Sequence, residues 1–289
     1  MLLCSLRFRR IWEKFVFSVL CLAALANIAA LFGVIFFIAW NALPAMSWEF
    51  FSAAPRNSMT EGGVWPCIVG TVMLAVGTVS IAFPLGVASA VYLCEYAGRA
   101  PLAKFIRLGV NSLAGVPSIV FGLFGMSFFV ITCKLGISLL SGILTLAVLT
   151  LPVIISTAEE ALRQVPQSLR DASYALGATP GRTVARVVLP AAFPGMLTGA
   201  ILGLARASGE TAAVMFTAAV FFTTKPVDSI FSPVMTLPNH IYVLATSGTQ
   251  IAKTLPLQYG TALLLLLLVT GMNLLALAAR DRLQNRPRF

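Results

Sequence analysis

Six stretches of this chain are too long and too apolar to be anything but membrane spans. They cover about residues 15–40, 66–94, 108–131, 138–158, 193–222 and 257–279. A helix rising about 1.5 Å per residue needs roughly 20 residues to cross the hydrocarbon core. Backbone groups find no water there, so only helices and closed barrels can span it. Barrel strands would be about ten residues long with alternating apolar positions. These runs are continuous and rich in Leu and Ala, and the chain is 58% hydrophobic with 10% charged residues, against about a quarter charged in soluble domains. The expectation is an all-α membrane protein with six transmembrane helices.

The net charge of +10 does not point to nucleic acid, because the positive residues sit where topology would put them. Arg7, Arg9, Arg10 and Lys14 precede span one; Arg99, Lys104 and Arg107 follow span two; Arg163, Arg170, Arg182 and Arg186 follow span four; Arg280, Arg282, Arg286 and Arg288 follow span six. The alternate loops hold only Arg56, Lys134, Lys225 and Lys253. Positive loops stay inside, so both termini are expected in the cytoplasm, consistent with an even number of spans. Residues 1–14 and 280–289 then form short cytoplasmic tails around a membrane-spanning domain over 15–279. The first span is too long for a signal-peptide core, and Trp12 and Trp40 bracket it as interfacial anchors. The five cysteines have no metal-like spacing and are expected to be buried small apolar residues; no metal site is expected.

Several local features break the apolar pattern. Pro44, Pro55 and Gly62-Gly63 make the loop over 41–63 irregular, with Trp48, Phe50 and Phe51 available for anchoring on a membrane or partner. Pro84 bends span two, either as packing relief or as a place to flex. In span three, Gly115, Gly122 and Gly125 permit close helix packing, and Pro117 leaves carbonyls near Leu113 without helical donors. Span five carries Arg206 and, one turn on, Glu210. Charges at bilayer depth cost at least about 2.5–3.5 kcal/mol each, so these two are expected to pair and to face a bundle interior or aqueous cavity. Both a structural ion pair and a pathway role fit that placement. His240, the one histidine, stands in a Pro-rich loop over 223–256 without other ligands nearby, which reads as a surface hydrogen-bonding residue.

The remaining excursion, 159–192, is the one long charged and helix-forming run between apolar segments. Pro166 marks a first turn and Gly177 a stop; Thr179 caps a second short helix with Pro180 at its first position, running to Leu189. Val184, Val187 and Val188 fall on one side of it, with Arg182 and Arg186 on the other. No phosphate loop, zinc-protease motif or nucleophile arrangement occurs, so an enzyme is not expected.

The spacing inside that excursion resembles the signature of bacterial ABC importer permeases: an acidic-Ala-Ala triplet, a glycine after three more residues, and, after nine more, an apolar residue followed at once by x-Leu-Pro. Here it reads Asp171, Ala172, Ser173, then Gly177, then Val187, Leu189 and Pro190, with every interval kept. GVPSIVFGLFG (115–125), LPVIISTAEEALRQVP (151–166), ARASGETAAVMFTA (205–218) and LPNHIYVLA (237–245) are similar to the phosphate-specific permeases of the PstA family, although ETAAV lacks an expected proline.

The resemblance implies a type I importer permease fold in the bacterial cytoplasmic (inner) membrane, with phosphate as cargo. It implies a PstC-like second permease, a PstB-like ATPase dimer and a PstS-like phosphate-binding protein as partners. No cofactor belongs to this chain; ATP and magnesium belong to the ATPase. Asp171, Ala172, Gly177, Leu189 and Pro190 are then expected to couple to the ATPase. Arg206, Glu210, Thr211, Pro117 and Ser118 are expected to line the substrate pathway. Another oxyanion, such as sulfate, molybdate or phosphonate, and a phosphate-sensing scaffold are the competing readings.

Overall fold

The computed structural model describes residues 2–98, 100–247 and 251–284. Arg99, Arg286 and Arg288 of the orientation argument lie outside them. Among the described residues, five helices are long and apolar enough to cross a membrane, and a sharply bent helix pair supplies a sixth candidate.

Helix α1 (Leu2–Ala42) is continuous and takes up most of the expected N-terminal tail. The following loop holds α2 (Trp48–Ser52) and a small hairpin of β1 (Pro55–Arg56) and β2 (Glu61–Gly62), with Pro55 opposite Gly62. Helix α3 (Trp65–Val91) passes through Pro84 and widens into a π-helical turn over Tyr92–Tyr96. Then come α4 (Pro101–Ala114), α5 (Ser118–Gly125) extended by a π-helical stretch to Thr132, and α6 (Leu139–Arg163). Helix α7 (Gln167–Ala175) is followed by α8 (Pro180–Thr183), a π-helical turn over Val184–Val188, and α9 (Leu189–Gly209). Helices α10 (Ala212–Thr217), α11 (Leu237–Ser247) and α12 (Ile251–Gln284) complete the chain.

Helix α6 is the centre: α3 and α9 pack on it and on each other. Its Leu139, Ile143, Leu146 and Leu149 meet Leu74 and Ala75 of α3, Phe121 of α5 and Ala213 and Val214 of α10 in the largest core cluster. Helix α12 lies along α9, and α1 touches the bundle mainly through α12, so Phe15, Leu20, Leu25, Phe32 and Phe36 remain exposed. Buried hydroxyls in the spans are satisfied within their own helices: Thr78, Thr145, Thr150 and Thr217 each donate to the carbonyl four residues earlier. That arrangement leaves no polar group unpaired at those positions.

Span three is not one helix over 108–131. Helix α4 ends at Ala114 and α5 departs at 104°, because Pro117 has no N–H and pushes the residue before it out of helical geometry. The Leu113 carbonyl, expected to lack a donor, accepts from the Val116 amide at 3.1 Å as the turn closes. Span five likewise does not run to 222. Helix α9 stops at Gly209, Glu210 is extended (φ −77°, ψ 126°), and after α10 the chain folds back so that the Val234 amide donates to Ala218 at 2.9 Å. The apolar residues of α10 follow only two residues after the helix end, which kept the average hydropathy high across the break.

Four smaller expectations also change. Phe50 is no anchor: it is 1% exposed, packed with Met59, Val64, Cys67 and Met235. Cys67 is buried as expected, but Cys21 and Cys133 are exposed and Cys94 is half-buried. LPNHIY begins α11 rather than an irregular loop, its first amide (Leu237) donating to Thr71 Oγ1 at 2.9 Å. His240 is 2% exposed, with Nδ1 3.2 Å from Thr261 Oγ1. Burial pushes its pKa down to about 4, because the charged imidazolium loses hydration there.

Gly122 and Gly125 serve close packing and Gly115 does not. A Cβ on Gly122 would meet Ala213 Cα at 2.9 Å and one on Gly125 would run into Thr145, whereas Gly115 has only Ser112 O at 3.6 Å. Gly122→Val and Gly125→Val are expected to destabilise the detergent-solubilised protein by about 1–3 kcal/mol, with Gly115→Ala near wild type, as read by thermal unfolding. A second expectation concerns pH. The unfolded chain protonates His240 from about 6.5 downward while the folded chain holds it neutral to about 4. Its contribution is therefore whole above pH 6.5 and is lost as pH falls toward 4, on the order of 3 kcal/mol. His240→Gln should flatten that part of the stability profile relative to wild type.

Candidate coupling surface and span-five charges

The 159–192 excursion folds as a hairpin below the bundle. Helix α6 continues past Thr157 to Arg163, and Pro166 (φ −56°, ψ 138°) turns the chain into α7. The glycine stop is real and conformational: Gly177 has φ +79° with nothing within 4 Å of a Cβ placed on it, so it supplies left-handed backbone rather than close approach. The Ala178 amide closes the helix end on Ser173 O at 3.2 Å. Thr179 then takes the N-cap position of α8 with extended backbone and Pro180 in its first turn, although its side chain caps no amide, and the hydroxyls of Ser173 and Thr183 lie 2.9 Å apart across the hairpin.

The second short helix does not end at Leu189-Pro190. Helix α8, the π-helical turn and α9 form one continuous rod over Pro180–Gly209. Pro190 cannot donate to the turn before it, and the wider i→i+5 turn there, in which the Leu189 amide reaches Val184 O, accommodates the missing bond. Val184 and Val188 are buried while Arg182 and Arg186 are exposed, the two-sided pattern expected from the sequence.

Asp171, Ala172 and Gly177 come together on the exposed side of this hairpin, beside Leu169, Tyr174 and Leu176, the last 89% exposed. Asp171 accepts a hydrogen bond from Gln167 Nε2 at 3.0 Å. Leu189 instead packs into the core with Ala90, Leu162 and Met196, and Pro190 is exposed on the rod above. The structure thus separates the five motif residues into three at the tip and two in the stem.

The charges of span five are arranged differently from the expectation. Arg206 lies in the last turn of α9, Glu210 beyond it in extended backbone, and Thr211 starts the next turn; all three are half-buried. Among the described residues, no ion pair joins Arg206 to Glu210, because the helix ends between them and the one-turn spacing no longer holds. Pro117 is exposed and Ser118 half-buried at the break in span three. The two breaks are connected by packing of α10 on α5, where Gly122 meets Ala213.

Sequence reasoning missed an ion network at the hairpin end of the bundle. Glu159 is held by Arg107 Nε at 3.3 Å and by Arg163 Nη2 at 3.1 Å, beside a cavity of about 490 Å³ that Asn111 and Ser156 also line. Arg170 binds Glu95 at 2.9 Å with both side chains largely buried. The i,i+4 spacing of Glu159 and Arg163 was readable in advance; the 75-residue separation of Arg170 from Glu95 was not.

Known proteins bear directly on this geometry. Residues 82–289 match the family described as "Binding-protein-dependent transport system inner membrane component". The chain belongs to that family. A probable ABC transporter permease protein, YqgI of Bacillus subtilis (strain 168), is 34% identical over 83% of this chain and 85% of its own length. A phosphate transport system permease protein PstA of Mycobacterium leprae (strain TN) is 38% identical over 90% of this chain and 84% of its own. Among solved structures, a bacterial ABC transporter involved in the import of alginate superposes with a TM-score of 0.63 over 94% of this chain and 99% of that one, at 14% identity. The inward-facing MetNI methionine ABC transporter gives 0.56 over 78% and 95%, at 25% identity. The importer permease fold is therefore present, in a multi-pass membrane protein that is a transport subunit and not itself an enzyme. An ATPase and a substrate-binding protein are the partners that such a permease works with.

Proposed function

We propose that this chain is one of two membrane subunits of an ATP-driven phosphate importer, with a PstC-like second permease, a PstB-like ATPase dimer and a PstS-like binding protein. The observation that carries the cargo is the extent of the likeness to PstA proteins, which spans about nine tenths of the chain at 38% identity in the M. leprae case and 96% of it at 29% in Xylella fastidiosa. Both termini and the 159–192 hairpin face the cytoplasm in this reading, as the distribution of Lys and Arg supports.

In this mechanism the hairpin tip at Asp171, Ala172 and Gly177, with the exposed Leu176, enters a groove of the ATPase. Closure of the ATPase dimer then moves α7 and, through the rod over 180–209, span five. A phosphate dianion entering the bundle needs positive charge along its path, and the Arg206 guanidinium can bind it through paired N–H donors. Among the described residues Arg206 makes no ion pair, which supports a charge available to cargo. Glu210 and Thr211, where the helix is broken, and Pro117 and Ser118, at the break in span three, flank the same pathway. Glu210 opposes tight anion binding and so favours release. The second permease completes the path.

Two outcomes are expected. Arg206→Gln should assemble normally yet lower uptake of labelled phosphate at least tenfold in cells lacking their own high-affinity importer; uptake at the wild-type rate would make Arg206 merely structural, and labelled sulfate transported in place of phosphate would overturn the cargo. At the hairpin, Gly177→Val places a β-branched residue in left-handed backbone at a cost of about 1–3 kcal/mol. It should reduce co-purification of the ATPase, while Gly177→Asn, which tolerates that backbone, retains it.

A further inference from the structure

The end of α3 is gripped by three elements through three consecutive residues. The Leu93 carbonyl accepts from Arg107 Nη2 of α4 at 2.7 Å. The Cys94 thiol lies 3.8 Å from the Glu159 carbonyl of α6. The Glu95 carboxylate receives Arg170 Nη2 of α7 at 2.9 Å. All three belong to the π-helical turn over Tyr92–Tyr96, which ends the helix and so leaves the Leu93 carbonyl for a side-chain donor.

Arg170 does more than pair. Its Nη1 donates to Val165 O, just past the end of α6, at 2.6 Å, and Nη2 also reaches Leu162 O in the last turn of α6 at 3.0 Å, a carbonyl that the Val165 amide approaches as well at 3.3 Å. One guanidinium thereby ties the hairpin helix to the last turn of α6 and to the end of α3 at once. The pair is shielded, with Arg170 and Glu95 side chains 13% and 12% exposed, so bulk water competes weakly for either group. Arg107 repeats the pattern from the other side, joining α4 to Leu93 O and to Glu159.

We infer that Glu95 and Arg170, seconded by Arg107 and Glu159, are positioning residues that make the hairpin helix and the end of span two move as one body, so that displacement of the hairpin reaches spans two and three as well as span five. Among the described residues α7 packs chiefly on its neighbours across the hairpin, α8 and the π-helical turn over Val184–Val188, so without the ion pairs its attachment would rest mainly on that packing and on the Pro166 turn. That linkage would transmit a push along the 180–209 rod alone. The inference rests on membership of the importer permease family and is independent of the cargo.

The test uses the assembled transporter, with spin labels at the exposed Ser80 on α3 and Ser168 on α7 in a chain whose own cysteines are replaced by alanine. With Glu95 and Arg170 intact, the distance between the labels should stay the same in the nucleotide-free and vanadate-trapped states. In Glu95→Gln the ATPase should still co-purify, the distance distribution should shift and broaden on trapping, and stimulation of ATP hydrolysis by the binding protein should fall at least threefold. The reversed pair, Glu95→Arg with Arg170→Glu, should restore both measures by half or more. Unchanged distances and stimulation in Glu95→Gln would overturn the inference. So would loss of assembly in Glu95→Gln that the reversed pair does not repair. Phosphate uptake enters none of these readouts, so failure of the cargo assignment would leave them standing.

Discussion

A hydrocarbon core offers no hydrogen-bond partners, and every irregularity in this bundle has to be closed from within the protein. The helices that stay regular satisfy the requirement automatically. The departures show how it is met elsewhere: the Val116 amide closes on Leu113 O at the break in span three, the fold-back after α10 is stitched between Ala218 and Val234, and buried threonines return their hydroxyls to carbonyls of their own helix. The broken segments also pack on protein: α10 lies on α5 and α6, where Ala213 and Val214 join the central cluster. Irregular backbone is thereby placed against protein, the one setting in which it is tolerated at membrane depth.

The same constraint separates two kinds of charge. Glu95, Arg107, Glu159, Arg163 and Arg170 stand at the hairpin end of the bundle and are mutually paired. Their hydrogen bonds fix where α4, α6, α7 and the end of α3 meet. Arg206 and Glu210 are half-buried further along α9 and do not pair with each other. Arg170–Glu95 is the largely buried pair at the hairpin end, and under the proposed function that end is built for stiffness while the unpaired placement of Arg206 and Glu210 leaves Arg206 open to cargo.

Much of the architecture was legible in advance. Among the described residues five helices are long and apolar enough to cross a membrane, with a bent pair as a sixth candidate, the Gly177 stop and the Pro180 start are where their residue chemistry places them, and the Val184/Val188 face is buried opposite Arg182 and Arg186. The errors have two causes. The apolar residues of α10 (Ala212–Thr217) follow so soon on α9 that a run of 30 residues concealed the break at Gly209–Thr211. The surface reading of His240 and the anchoring role of Phe50 failed because a loop composition does not disclose whether another helix will cover it.

The sequence by itself determined that the chain lives in a bilayer and where the charged hairpin turns, because hydrocarbon thickness, proline and left-handed glycine act on local stretches. Only the tertiary structure decided that Arg206 and Glu210 part company, that Leu189 and Pro190 belong to a continuous rod, and that Arg170 finds Glu95 across 75 positions. Those outcomes depend on which helix ends come to lie side by side, and packing of separate spans is a property that no local pattern carries.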